Sequence, residues 1–352
     1  MIADAARVLI PALASFSIGI ALAPVLAHYL YRSKSWKKRV GKQGLGDDSG
    51  TPLFNVLHET REVSTPRMGG ILIWSAVLGS ALLFIGLADV LGEPFSSLNF
   101  VTRNQTWLPL FALLIGAIVG LFDDTLEITR SGGGLRLRWR LCLVAVLGLF
   151  SAWWFYEKLG VSSVGVPFGN PVELGWLFIP FFVFVMLAVY AGGIIDGIDG
   201  LAGGVFAFVF MAYAGIAFAQ EQTTLAAFSA SVAGATLAFL WFNVPPARFY
   251  MSETGSMALT VALAITAFSA DVLGEGIGVA VLPVIALPLT ATVLGNVLQV
   301  VAKRVFRRKV FIIAPIHHHF EALGWPPAKV TMRYWIITVI AGVLGLAIAL
   351  VG

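Results

Sequence analysis

Charge is what this chain has least of. Lys, Arg, Asp and Glu make up 12% of its 352 residues, about half the share of an ordinary soluble domain. Apolar residues reach 58% and mean hydropathy is +0.88. That balance excludes a soluble globular fold, and counting domains from length no longer applies. Cysteine is nearly absent. Cys142 is the only one and lies in an apolar run, so an intrachain disulfide and a cysteine-based metal site are both excluded. No low-complexity tract appears, and no internal repeat of the kind that builds inverted-repeat transporters. No acid falls in mid-span, which argues against proton-coupled transport. The N-terminus lacks a signal-peptide cleavage pattern, so its first apolar run reads as a retained helix.

What is present is a series of apolar runs long enough to cross a bilayer, which takes about 20 residues each. Ten candidates run roughly over Val8–Tyr31, Gly69–Leu91, Trp107–Phe122, Trp139–Phe155, Leu174–Ile195, Leu201–Phe218, Thr224–Phe242, Ser256–Phe268, Ile277–Ala302 and Tyr334–Val351. The fold class is an all-α polytopic membrane protein, a single integral domain over residues 1–352. Pro283 and Pro288 fall inside the ninth run, which is expected kinked or broken. Basic residues segregate. The first, third, seventh and ninth loops carry Arg32 to Arg67, Arg130 to Arg140, Arg248, and Lys303 to Arg333, while the opposite side holds only Arg7, Arg103 and Lys158. The positive-inside rule puts the basic loops in the cytoplasm and both termini outside. Val161–Leu174 reads as a small external hairpin, and residues 34–64 form the longest polar stretch.

Acids gather on the basic side. Asp123 and Asp124 end the third run, Asp196 and Asp199 end the fifth within Asp-Gly-Ile-Asp-Gly, and Glu253 lies between the seventh and eighth. Five carboxylates from three separated segments repel unless a cation is present. Hard oxygen donors with room for water and phosphate suit Mg²⁺. The plain alternative is five solvated loop acids that never meet. A second cluster is His317, His318 and His319. Consecutive residues diverge on a helix, so the three cannot all ligate one metal from regular structure. They suit donation to a phosphate or a sugar hydroxyl, or a solvated polar turn. Most basic residues around these clusters follow from the positive-inside signal and anionic headgroups. Thr65-Pro66-Arg67-Met68-Gly69-Gly70 opens the second run, where proline fits a helix start and paired glycines permit close approach.

At these residues the chain resembles the polyprenyl-phosphate N-acetylhexosamine-1-phosphate transferase superfamily, and within it the phospho-N-acetylmuramoyl-pentapeptide transferase family. The matching pieces are Thr65–Gly70, Phe122-Asp123-Asp124, Asp196–Ala202, Trp241-Phe242-Asn243, Gly255-Ser256, Ala314–Glu321 and Gly324-Trp325-Pro326. The triple histidine followed by Phe-Glu is the specific signal for that family. The resemblance implies ten spans and an Mg²⁺-dependent transfer from UDP-MurNAc-pentapeptide to undecaprenyl phosphate, giving lipid I and UMP in peptidoglycan synthesis. Its place would be the bacterial cytoplasmic (inner) membrane, among membrane lipids, with the catalytic loops facing the cytoplasm. No nucleic-acid partner is expected, and a homodimer is a family expectation only.

By the same resemblance Asp123, Asp124, Glu253, His317, His318 and His319 are catalytic. Asp196, Asp199, Asn243, Tyr250, Ser256, Arg140 and Thr65 bind substrate, and Asp123, Asp124, Asp196 and Glu253 hold the metal. Three positions depart from the family pattern. Gly193 stands where an Asn is usual, Glu253 where an Asp is usual, and Arg140 near a usual Lys. A sister transferase using another UDP-N-acetylhexosamine shares the acids, although the triple histidine argues against it. A non-catalytic membrane protein that kept the fold would explain the departures.

Overall fold

A computed structural model of the chain describes residues 2–36, 64–102, 106–129, 133–272 and 276–352. Among these, ten helices are long and apolar enough to cross a membrane. In chain order the helices are α1 (Ile2–Arg32), α2 (Ile71–Leu91), α3 (Trp107–Thr129), α4 (Leu137–Trp153), α5 (Phe178–Gly192), α6 (Leu201–Ala219), α7 (Thr223–Asn243) and α8 (Ser252–Val272). They are followed by α9 (Gly278–Ile285), α10 (Leu287–Phe306), α11 (Ile316–Ala322) and α12 (Pro327–Val351). The ninth apolar run is broken as its prolines predict: α9 ends at Ile285 and α10 begins at Leu287 with Pro288 in its first turn.

The ten spans are unequal. In α6, α7 and α8 the spanning windows are 78%, 83% and 94% buried inside the protein, whereas α1, α10 and α12 are 28% buried. The inner three are rich in Ala, Gly, Ser and Thr, which lets backbones approach without losing contact. This explains why α8 looked short in the sequence. Its ends carry Ser252, Thr254, Ser269 and Asp271, all nearly fully buried, because protein surrounds them and hydrocarbon does not. The helix is Ser252–Val272, longer at both ends than the apolar run Ser256–Phe268.

The partners of each helix follow from this layering. α3 lies along α8, α7 along both α1 and α6, α12 along α6, and α4 along α5. At one end of the bundle, strands β1 (Ser163–Val164) and β2 (Val172–Glu173) pair antiparallel as the expected hairpin. Buried Asp271 fastens it there, accepting the amides of Gly165 at 2.8 Å and Val279 at 3.0 Å. At the other end the C-terminal ends of α3, α5 and α7 meet the N-terminal ends of α4, α6, α8 and α12. The loops lie against one another: Tyr31 Oη donates to Arg248 O at 3.0 Å, and Tyr250 N donates to Pro66 O at 2.8 Å. Of the long polar stretch, residues 37–63 lie outside the described residues.

Candidate active site

The N-terminus of α8 organises this end. A helix begins with backbone N–H groups that have no partner within the helix, and here two other spans satisfy them with carboxylates. Ser252 N donates to Asp196 Oδ2 at 2.8 Å. Glu253 N donates to Asp124 Oδ1 at 3.3 Å and Thr254 N to Asp124 Oδ2 at 2.9 Å, with the Thr254 hydroxyl adding a bond of 2.6 Å to the same oxygen. Negative charge is favoured at a helix start. The backbones come this close because glycines leave room. A side chain on Gly120 would strike the Glu253 carbonyl, and one on Gly70 would strike Gly255. The paired glycines of the second run therefore act as the sequence suggested.

Beside this cap lies a cluster of acids and arginines. Arg140, near the start of α4, places Nη1 2.5 Å from Glu253 Oε1 and 3.6 Å from Asp123 Oδ2. Its Nε donates to Leu135 O at 3.2 Å, and the amide of Leu135 donates to Asp123 Oδ1. The Tyr190 hydroxyl lies close to the same guanidinium. Arg67 lies 2.9 Å from Glu127 and 3.8 Å from Asp124. Asp123 and Asp124 are 1% and 0% exposed.

These positions correct several expectations. Asp123 and Asp124 do not end a span, because α3 continues past them to Thr129. Glu253 is not in a loop, since it sits in the first turn of α8. Asp196 and Asp199 lie in a turn beyond α5. The chain leaves a 3₁₀ turn at Asp196, with φ −73° and ψ 73°, and the two acids go separate ways. Asp199 Oδ2 accepts Ala247 N at 3.1 Å, and its carbonyl accepts the Thr331 hydroxyl at 3.1 Å. Gly200, in the left-handed region at φ 76°, gives its carbonyl to Trp335 Nε1 at 3.1 Å. Thus the five acids divide. Asp123 and Glu253 face Arg140, while Asp124, with Arg67 beyond it, and Asp196 and Asp199 hold the backbone of α8 and its approach. Among the described residues no group of three His, Cys, Asp or Glu side chains is arranged to hold a metal ion.

The histidines divide as well. They lie on α11, a helix and not a turn. His317 and His318 are buried with ring centroids 4.3 Å apart, and Nε2 of each would stand 2.7 Å from a Cβ at Gly197. They therefore rest on the Asp196–Gly200 turn. His318 Nδ1 lies 2.6 Å from Glu321 Oε2, which fixes the ring's orientation. His319 points elsewhere. Its Nδ1 accepts Ile312 N at 3.2 Å, and its ring packs on Phe311.

Of the residues expected to bind substrate, Asn243 is committed at both ends of its amide, accepting Gly200 N at 3.0 Å and donating to Phe249 O at 2.9 Å. It holds the acidic turn in place. Tyr250 joins the Pro66–Gly70 segment through its backbone, accepting Gly69 N at 2.7 Å. Ser256 is buried one turn into α8, Thr65 is half-buried, and a side chain at Gly193 would lie against Ser256 and Thr260 at ordinary contact distance. Arg67, Tyr190, Thr254 and Glu321 belong to the site as well. Glu321 was within reach of sequence reasoning, because it stands at i+3 from His318 on a helix. Tyr190 sits inside an apolar run with nothing to single it out.

A model of glycosyl transferase family 4 matches residues 106–271, the segment from α3 to the end of α8. The phospho-N-acetylmuramoyl-pentapeptide-transferase of Chloroflexus aurantiacus is 31% identical over 368 aligned residues, covering 100% of this chain and 92% of the relative. The enzyme of the same name from Pelagibacter ubique is 30% identical over 317 residues, covering 82% of this chain and 81% of the relative.

Proposed function

Because the chain belongs to the phospho-N-acetylmuramoyl-pentapeptide-transferase family, we propose that it moves phospho-MurNAc-pentapeptide from UDP-MurNAc-pentapeptide to undecaprenyl phosphate. The products are lipid I and UMP, and the step belongs to peptidoglycan synthesis. The observation that carries this reading is the convergence of Asp123, Glu253 and Arg140 at the start of α8, where Asp196 of the turn that carries the His317–His318 pair also accepts the Ser252 amide, in a chain matched to the family over its full length. An oxygen of the lipid phosphate attacks the sugar-linked phosphorus, a new P–O bond forms, and UMP leaves. Little covalent chemistry falls to the protein in such a transfer, so positioning and charge compensation dominate. Asp123 orients the attacking phosphate and takes its proton. Arg140 and Arg67 offset the charge of the phosphates. His317 and His318 hold the donor on the Asp196–Gly200 turn.

Magnesium belongs to this proposal. Arg140 stands in as a cation between Asp123 and Glu253, and these two carboxylates fit an ion that normally keeps only one or two protein acids and fills its shell with substrate phosphate and water. Asp123 and Glu253 would hold it. When bound, it would neutralise charge on the diphosphate. The basic end of the bundle faces the cytoplasm in this reading, the membrane is the bacterial inner membrane, and a homodimer is the expected assembly.

The test is UMP release by purified protein from UDP-MurNAc-pentapeptide and undecaprenyl phosphate, with Mg²⁺ and with EDTA. Release that needs the pentapeptide donor and the ion supports the proposal. Release only from UDP-GlcNAc or another UDP-N-acetylhexosamine assigns the chain to a sister reaction. No release from folded protein with any donor overturns it.

A further inference from the structure

Gly324-Trp325-Pro326 carries part of the family resemblance, yet it plays no role in the site just described. It forms the corner between α11 and α12. Trp325 closes back on α11. Its amide donates to Phe320 O at 3.1 Å, and its ring stacks on Phe320 with centroids 4.9 Å apart and planes 20° apart. Two cations share the other contacts of this ring. Arg333 Cζ lies 4.1 Å and Lys329 Nζ 4.9 Å from its centroid. The two stand one turn apart on α12, and both are exposed while Trp325 is half-buried. The ring holds each by its negative face. Like charges gathered on one neutral ring still repel unless an anion answers them. Among the described residues, neither Lys329 nor Arg333 pairs with a carboxylate.

Position relates this pair to the donor. The start of α12 holds the acidic turn with one face, the Thr331 hydroxyl donating to Asp199 O and Trp335 Nε1 to Gly200 O. Lys329 and Arg333 lie on the other face of the same turns of helix. From α11, His317 and His318 rest on that acidic turn. A helix with its side chains is about 10 Å thick, and five extended residues reach roughly 17 Å. A pentapeptide that starts at a sugar beside the histidines therefore spans to the Trp325 ring. Its free carboxylates suit a guanidinium fork and an ammonium side by side.

We propose that Trp325, Lys329 and Arg333 form the site that receives the stem peptide of the donor and binds its carboxylates. The inference rests on the pentapeptide donor proposed above and adds where that peptide lies. Recognition of the stem then resides on the outer face of α12, apart from recognition of the nucleotide sugar on the acidic turn.

Removing charge at these exposed positions tests this, and calorimetry of donor binding needs no acceptor and no turnover. Lys329→Gln and Arg333→Gln should each weaken UDP-MurNAc-pentapeptide about tenfold, the scale of one lost hydrogen bond to a charged group. UDP-MurNAc-alaninamide keeps the sugar and the nucleotide but has no stem carboxylate. It should bind the parent protein more weakly, and the two substitutions should change that binding by less than about twofold. Arg138→Gln removes a like cation from another exposed ring, Trp139 at 5.8 Å, and should change neither donor. Equal loss of both donors in the Lys329 and Arg333 variants would overturn the proposal and assign the cations to the nucleotide. A second measurement separates the stem from the membrane. UMP release is followed in phosphatidylethanolamine vesicles with and without phosphatidylglycerol, and KM for the pentapeptide donor should rise in both variants in either vesicle. A defect that appears only with phosphatidylglycerol, and falls alike on both donors, overturns the stem site in favour of lipid headgroups. Normal UMP release with unchanged donor KM in both variants overturns the stem site and leaves the reaction standing. Binding of the pentapeptide donor that depends on Arg333, in a protein that releases no UMP from any donor, does the reverse.

Discussion

Arg140 and Glu253 meet across 113 residues of chain, with Nη1 2.5 Å from Oε1. One stands near the start of α4, the other in the first turn of α8. By the resemblance, Glu253 stands where an Asp is expected and Arg140 near an expected Lys, and the contact sets these two departures side by side. The extra methylene of Glu carries its carboxylate to the guanidinium, and the guanidinium's fixed fork reaches Asp123 from the same place. Either substitution alone should therefore harm the site. Glu253→Asp and Arg140→Lys are each expected to lower turnover about tenfold, and the double variant to recover most of that loss. The coupling should be on the order of 1–2 kcal/mol, as for charged neighbours in one network. UMP release by the four proteins of this cycle measures it, and simple additivity would show the two positions to be independent.

Asp123 is the acid whose loss should be felt in chemistry and not in folding. Its neighbours are the Leu135 amide and Arg140, and it caps no helix. Asp123→Asn keeps the shape and removes the charge and the proton acceptor. Turnover should fall by about 10²–10⁴, the usual scale for a lost general base, with the melting temperature in detergent unchanged. Near-normal turnover in that variant would place the proton acceptor elsewhere.

The adjacent Asp124 should behave in the opposite way. Its carboxylate receives two amides and a hydroxyl from the start of α8, so it is a helix cap supplied by another span. Asp124→Asn and Thr254→Val should each cost roughly 1–2 kcal/mol of stability, the range for lost caps and charged hydrogen bonds. Thermal unfolding would register this. Activity per folded molecule should fall less than in Asp123→Asn. A full loss of turnover at unchanged melting temperature would move Asp124 into the reacting group.

Ten spans, the break at the two prolines and the small hairpin were all legible in the sequence, because each rests on local signals of run length, ring geometry and turn composition. The acids were legible as a group but not in their roles. Composition and spacing bring Asp123, Asp124, Asp196 and Asp199 to one end alike. What separates them is which backbone amides each one meets, and that depends on the approach of α8, which the sequence marks only by glycines such as Gly70 and Gly120. The same dependence hid the ends of α8, where polar residues are buried in protein and mimic a loop. Tyr190 and Thr254 carried no signal at all. Their importance comes from contacts with residues distant in sequence, Arg140 and Asp124.

Gly197 in the acidic turn and Gly193 just before it separate the donor side from mere packing. At Gly197 an added methyl would stand 2.7 Å from Nε2 of both His317 and His318, closer than carbon and nitrogen can approach. Its backbone needs no left-handed conformation, so Gly197→Ala acts only by pushing the two rings. At Gly193, where the family usually has Asn, the nearest atoms would be 3.4 Å to Thr260 Cγ2 and 3.6 Å to Ser256 Cβ, an ordinary contact. Gly193 is also helical, with φ −59°. Gly193→Asn should therefore fold as the parent does, with turnover equal or higher. Gly197→Ala should raise KM for UDP-MurNAc-pentapeptide about tenfold, a loss of roughly 1.4 kcal/mol in binding, and leave KM for undecaprenyl phosphate unchanged. Steady-state kinetics with each substrate varied in turn distinguishes the cases. A rise in acceptor KM instead would mean that the histidine pair faces the lipid, and would exchange the two halves of the site.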